Sequence, residues 1–281
     1  MSRLPSFLIK RIPKQENIRR IRSLLNDPRV HTVCEEARCP NIGECWGLIN
    51  QAPTVTFLIL GNTCTRNCAF CGVDHGKPQP PDPEEPQRIA RAVEKLGLNY
   101  VVITSVTRDD LPDGGAGVFA ETIRNLRLNV AVSGIEVLVP DFLESLTIVL
   151  DAKPYVLNHN LETVPRLYPK IRPQANYERS LKILRAAKDR GIYSKSGFMV
   201  GLGETKDEVF SIMRDLRTAG CDLVTIGQYL PPSKDHIKPE RYVTPEEFEG
   251  YETIGKSLGF LKVFSGPFVR SSYHAGEIVK R

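Results

Sequence analysis

The chain has 281 residues, 41% hydrophobic and 25% charged, and its 38 Lys and Arg against 33 Asp and Glu leave a net charge of +5. A chain of this length buries roughly three quarters of its unfolded surface in one core, so a single domain that needs neither disulfides nor a partner subunit to fold is the expectation. Its longest largely apolar stretches, 55–60 and 137–140, fall far short of the ~20 residues of a membrane-spanning helix, which excludes a helical membrane protein.

The first 26 residues are basic but lack the apolar core of a secretory signal, and Glu16 with two prolines argues against an acid-free mitochondrial leader. A cytoplasmic location follows as the expectation. In that reducing setting the seven cysteines point to metal binding before disulfides. The basic run of Lys10, Arg11, Lys14, Arg19, Arg20, Arg22 and Arg29 reads as a solvated helix or as a docking face for an acidic protein. Nucleic acid is a poorer partner, because no aromatic residues are interleaved with these charges.

Next comes Cys34-Glu-Glu-Ala-Arg-Cys39-Pro-Asn-Ile-Gly-Glu-Cys45, a triplet at spacings x4 and x5. With His31 as a fourth ligand it could hold zinc. A first strand is expected at 55–60, and directly after it Cys64-x-x-x-Cys68-x-x-Cys71 packs three thiols into eight residues. Three thiolates this close repel one another unless a soft metal centre neutralises them. Zinc completed by His75 is one reading. The other is a [4Fe-4S] cluster on three cysteines, which leaves one iron open to a ligand and implies reactivity.

Beyond a proline-rich connector at 78–86, apolar and amphipathic runs alternate. Strands are expected at 100–104, 135–139, 155–158, 194–200 and 223–228, and helices at 86–96, 118–126, 142–150, 162–167, 177–190, 204–219 and 245–258. Short apolar strands joined by helices mean a parallel sheet. Six such units are too few to close the eight-fold barrel, so an open, partial (βα)6 barrel is expected, with its site at the C-terminal ends of the strands. The expected organisation is a 1–50 extension, a 51–230 barrel core, and a 231–281 segment with a helix and a tail.

Several residues at those strand ends stand out. Gly114 and Gly115, after the second strand, allow backbone to approach a ligand or simply make a turn. Glu136 and Asn158 are polar groups in apolar strands that could bind a cofactor or be satisfied by backbone. Arg172 could pair with a carboxylate through its planar fork or lie in solvent. Gly201-Leu-Gly203 lacks the third glycine of a dinucleotide fingerprint, and Cys221 reads as a core thiol.

The Cys64, Cys68, Cys71 spacing, with Phe70 just before the third cysteine, resembles the radical S-adenosylmethionine enzymes. The Cys34, Cys39, Cys45 triplet and Arg270-Ser271-Ser272-Tyr273 narrow the resemblance to the lipoyl synthase family. What that resemblance implies is sulfur insertion into an octanoyl chain on a lysine of a lipoyl carrier protein. It implies S-adenosylmethionine and two [4Fe-4S] clusters. Cys64, Cys68 and Cys71 would hold the radical-generating cluster, and Cys34, Cys39, Cys45 and a tail serine, Ser272 in preference to Ser271, would hold an auxiliary cluster that donates sulfur. Cofactor contacts would come from Phe70, Gly114, Gly115, Glu136, Asn158 and Arg172. A low-potential electron donor and an iron-sulfur cluster carrier would be partners, and nothing calls for more than a monomer. The alternatives are a biotin-synthase-like sulfur inserter, which should lack the triplet and the tail, and a non-catalytic metal-binding protein.

Overall fold

The computed structural model of the chain describes residues 4–10, 15–46 and 53–278; Arg11 and Lys14 of the basic run lie outside them. Among the described residues a 3-10 turn at Ser6–Leu8 comes first, followed by helix α1 (Gln15–Leu24), strand β1 (His31–Thr32) and the one-turn helices α2 (Val33–Glu36) and α3 (Ile42–Cys45). Then come β2 (Thr56–Ile59), the short strands β3 (Thr63–Cys64) and β4 (Asp74–His75), α4 (Glu85–Leu96), β5 (Tyr100–Ser105), α5 (Ala116–Asn129), β6 (Gly134–Leu138), α6 (Leu146–Asp151) and β7 (Val156–Asn158). The remainder is α7 (Tyr168–Ile171), α8 (Tyr177–Asp189), β8 (Tyr193–Val200), α9 (Lys206–Thr218), β9 (Leu223–Gln228), α10 (Pro245–Ser257) and β10 (Lys262–Gly266). The six strands expected from sequence are β2 and β5 to β9, each bounded within one residue of its expected limits. Among the described residues no helix is long and apolar enough to cross a membrane.

The chain divides into two compact units. The first comprises Pro13–Asn67, Cys71–Leu157 and Ser272–Arg281; the second comprises Met1–Ile12, Cys68–Phe70 and Asn158–Ser271. In the first, β1 runs antiparallel to β2, while β2, β5 and β6 are successive parallel neighbours. Phe57, Ile59, Val101, Ile103 and Val137 are fully buried, as strands covered on both faces must be, and this produces their continuous apolar runs. Helix α4 carries Pro86 in its first turn and stops at Gly97, whose φ of 62° supplies the left-handed cap.

In the second unit, β8, β9 and β10 are parallel neighbours. Leu184, Val200, Ile212, Met213, Leu216, Val224, Ile226 and Phe248 fill its core. Capping boxes begin α9 (Thr205 with Glu208) and α10 (Thr244 with Glu247).

The helix expected at 142–150 is a 3-10 turn at Leu143–Ser145 that leads into α6, and the short β1, β3 and β4 carry no expectation from sequence; two further differences have clear physical causes. β10 pairs with β9 over five positions, although of its residues only Val263 is buried, so its pattern carries no strand signal. The helix expected at 162–167 reduces to a 3-10 turn at Pro165–Leu167 running into α7. Glu162 instead takes a left-handed φ of 64°. Its N–H donates to the Gly197 carbonyl at 3.0 Å, and its carbonyl accepts from Met199 N–H at 2.8 Å. This long-range pairing outweighs the local helical pattern.

Candidate metal and cofactor sites

Two one-turn helices deliver the N-terminal cysteines. Cys34 lies on α2 and Cys45 ends α3. Arg38, at a left-handed φ of 50°, turns the chain between them, and Cys39 N–H donates to the Cys34 carbonyl at 3.1 Å. Burial first, and then the neighbouring Cys39 and Cys45, push the Cys34 thiol up to about 12, against a backbone hydrogen bond from Thr56. A buried thiol so raised, with two more cysteines close enough to raise it, disfavours a bare thiolate at Cys34 and favours a neutralising metal centre.

The tail belongs to the same unit from Ser272 onward. Tyr273 hydroxyl donates to Glu44 Oε1 at 2.5 Å. Burial, the Glu44 bond and then the charges of Glu44 and Cys45 all push the Tyr273 hydroxyl above the usual phenol range and oppose its ionisation, so Tyr273 lies within electrostatic reach of Cys45. In the second unit, Asn160 Nδ2 donates to the Ser271 hydroxyl at 2.6 Å and to Glu162 Oε1 at 2.9 Å.

The loop after β2 opens with strain. Leu60 and Gly61 have φ of 67° and 83°, a region an L-residue such as Leu60 enters at a cost of order 1 kcal/mol. Buried Glu85 holds this bend, its carboxylate accepting Leu60 N–H at 2.8 Å and also Gly61 N–H. Cys64 Sγ then accepts backbone N–H bonds from Arg66 at 3.4 Å and Thr107 at 3.3 Å. N–H groups aimed at sulfur are the hydrogen bonds that tune iron-sulfur clusters, so this sulfur fits that donor set. Arg66 spans two carboxylates: Nε and Nη2 reach Asp109, each at 2.7 Å, and Nη1 reaches Asp141 at 2.7 Å. Cys68 belongs to the second unit with Ala69 and Phe70. There Ala69 N–H donates to the Ile171 carbonyl at 2.9 Å and Phe70 packs on the core.

Among the described residues, no three His, Cys, Asp or Glu side chains are gathered tightly enough to hold a single metal ion. Of the two histidines weighed as zinc ligands, His31 Nδ1 engages Glu36 Oε1 at 2.8 Å and His75 is exposed on β4.

Gly114 and Gly115 have φ of 61° and 91°. A Cβ on them would stand 2.9 Å from Phe142 Cβ and 2.2 Å from Leu60 Cδ1, so both fit where a side chain would not. Glu136 is fully buried on β6 and accepts from Tyr100 hydroxyl at 3.1 Å. Asn158 is fully buried at the end of β7. Arg172 is 9% exposed; its Nη1 donates to the Asn160 and Leu161 carbonyls at 2.8 and 3.2 Å, and its guanidinium lies over the Tyr168 ring. The Gly201–Gly203 turn is closed by Glu204, which accepts the N–H of Gly201 and of Leu202. Buried Cys221 donates to the Leu223 carbonyl at 3.1 Å.

Sequence reasoning missed Arg66, Asp141, Glu85 and Asn160. Arg66 had a signal, as the cation inside a cysteine loop. The others are paired with residues 25 or more positions away, which one sequence does not announce.

A parallel βα series with a three-cysteine loop after β2 defines the radical S-adenosylmethionine class of enzyme. A model described as the radical SAM superfamily matches residues 58–216, and one described as the N-terminal domain of lipoyl synthase of that family matches residues 1–39. The chain is 56% identical to a lipoyl synthase of Rubrobacter xylanophilus, covering 97% of this chain and 85% of that one. It is 55% identical to a lipoyl synthase of Caldanaerobacter subterraneus, over 97% of this chain and 96% of the relative. The chain belongs to the lipoyl synthase family of the radical SAM superfamily, whose members are enzymes that use S-adenosylmethionine and [4Fe-4S] clusters.

Solved structures share its fold. A FeFe-hydrogenase maturase from Carboxydothermus hydrogenoformans matches with a TM-score of 0.59 at 15% identity, covering 80% of this chain and 65% of that one. Methylornithine synthase matches with a TM-score of 0.56 at 16% identity, covering 75% and 71%.

Proposed function

We propose that this chain inserts two sulfur atoms into an octanoyl chain held by an amide on a lysine of a lipoyl carrier protein or domain, one sulfur coming in at each of two unactivated carbons. An unactivated C–H bond offers nothing to an acid, base or nucleophile, so the reaction needs a radical, which a reduced [4Fe-4S] cluster and bound S-adenosylmethionine supply together. Cys64, Cys68 and Cys71 hold that cluster and leave one iron open. Cys34, Cys39, Cys45 and Ser272 hold the auxiliary cluster, which donates sulfur.

The observation that carries the reading is the Tyr273–Glu44 hydrogen bond, with Tyr273 also in the field of Cys45. It supports a tail serine working beside the N-terminal triplet. Ser272 is favoured over Ser271, because the Ser271 hydroxyl is engaged by Asn160. A serine oxygen is a harder donor than thiolate and easier to protonate and lose, which suits a cluster that must open to give up sulfur. Phe70, just before the third cysteine, contributes to the cofactor site. Gly114 and Gly115 serve the methionine amino group, Glu136 and Asn158 the cofactor hydroxyls, and Arg172 the carboxylate. A single domain, 1–50 extension, 51–230 core and 231–281 tail, carries all of this as a monomer in the cytoplasm. A low-potential donor supplies electrons, and an iron-sulfur carrier rebuilds the auxiliary cluster.

The test is anaerobic reconstitution followed by iron and sulfide analysis and turnover with an octanoyl-lysyl peptide. About eight irons per chain, as two four-iron clusters contain, with 5′-deoxyadenosine and a sulfur-bearing peptide, is the expected result. Zinc in place of iron, or iron with no cleavage of S-adenosylmethionine, would overturn the reading.

A further inference from the structure

Arg66 stands between Cys64 and Cys68, yet its side chain points away from solvent and into carboxylates. Its exposure is 12%, and Asp141, which it meets at 2.7 Å, is 2% exposed. Asp109, on the other side of the fork, is 48% exposed and takes two bonds. Asp109 follows β5 and Asp141 follows β6, so one guanidinium ties the cysteine loop to the ends of two parallel strands. Thr65 reinforces the tie: its N–H and hydroxyl both donate to the Thr107 carbonyl, at 3.1 and 3.0 Å, and its hydroxyl accepts Asp109 N–H at 3.2 Å.

The product of this tie is local. It fixes the backbone N–H groups of Arg66 and Thr107 on the Cys64 sulfur. Hydrogen bonds to a cluster sulfur stabilise the reduced, more negative state and raise the reduction potential. A buried carboxylate such as Asp141 is costly unless a cation is paired with it, and the Arg66 guanidinium is that partner. Lysine cannot replace that cation in geometry, since a point charge does not span two carboxylates as a planar fork does.

We propose that the Arg66–Asp109–Asp141 clamp is a positioning device that sets the reduction potential of the cluster held by Cys64, Cys68 and Cys71, by holding two N–H groups on Cys64. The proposal rests on the reading of those three cysteines as cluster ligands. The step it governs is the one-electron reduction of that cluster by an external low-potential donor, with no bond made or broken in the chain.

The experiment is an anaerobic potentiometric titration of the reconstituted chain with titanium(III) citrate. It follows the EPR signal that changes when S-adenosylmethionine is added, which separates this cluster from any other. Arg66→Lys, Asp141→Asn and the milder Asp109→Asn are compared with the unsubstituted chain. Iron content is expected to stay unchanged in all three, and the midpoint potential is expected to become more negative in all three, most in Arg66→Lys. Potentials that do not move would overturn the clamp's role. So would a rise in Asp141→Asn, because removing one negative charge without loosening the loop makes reduction easier. If Arg66→Lys does not fold, Asp109→Asn still decides, its carboxylate being half exposed. A wild-type chain with no reducible, S-adenosylmethionine-sensitive signal would overturn the ligand reading itself.

Discussion

Cys39 and Ser272 carry the sharpest residue-scale consequences, because the proposal assigns each to the auxiliary site and neither to the radical-generating one. Cys39→Ala should lower iron by about half, to roughly four per chain, while 5′-deoxyadenosine still forms and no lipoyl product appears. Iron analysis and chromatography of both products check this. For the serine pair the asymmetry lies in their neighbours. Ser271 is bonded to Asn160, and Tyr273 to Glu44. Ser272→Ala should therefore alter the Mössbauer spectrum of one iron of the auxiliary cluster, whereas Ser271→Ala should leave that spectrum intact and loosen only the tail. A spectrum changed by Ser271→Ala alone would reverse the assignment. The two cysteine triplets stand out in the sequence because metal-ligand spacing is local. Arg66, Glu85 and Asn160 do not, because their partners come from other strands and loops.

At the scale of the element, strands declared themselves and their exceptions have physical causes. Buried parallel strands are apolar on both faces, so 223–228 was read to the residue as β9. Gly227 within it carries a further message. A Cβ there would stand 2.2 Å from the Val269 carbonyl oxygen, a backbone atom that cannot rotate away, and a glycine in a strand interior often marks such an approach. Gly227→Ala is expected to displace the segment leading into Arg270 and Ser271 and so to lower auxiliary-cluster iron selectively, measured against an unchanged signal from the other cluster. Helix α9 offers a test by acid. Glu208 is held down to about 2 by its hydrogen bond with Arg166, then by the Thr205 N–H of the capping box. A carboxylate so depressed stabilises the fold above its ordinary value near 4.5, and that contribution disappears as pH falls towards about 2. Unfolding of the wild type against Glu208→Gln should therefore show an advantage at neutral pH that vanishes on acidification. Thr205→Ala, which removes the cap oxygen, should cost about 1 kcal/mol at neutral pH.

For the whole molecule, the parallel βα series was readable from alternation alone, whereas β10 and the segment around Glu162 were not. Lys262, Phe264 and Ser265 are only partly buried, so β10 owes its form to five backbone pairings with β9 and not to its own pattern. The bond between Tyr273 and Glu44 joins residues 229 positions apart. Ribosomes add ~5–20 residues per second, so roughly ten to fifty seconds pass between the appearance of the triplet and that of the serine proposed to complete its ligand set. A nascent or prematurely terminated chain would own three of those ligands and lack the fourth. Maturation of the proposed sulfur-donating site is thereby postponed until residue 272 has been made, and a fragment ending at residue 271 would be expected to carry the proposed radical-generating cysteines without a complete sulfur source.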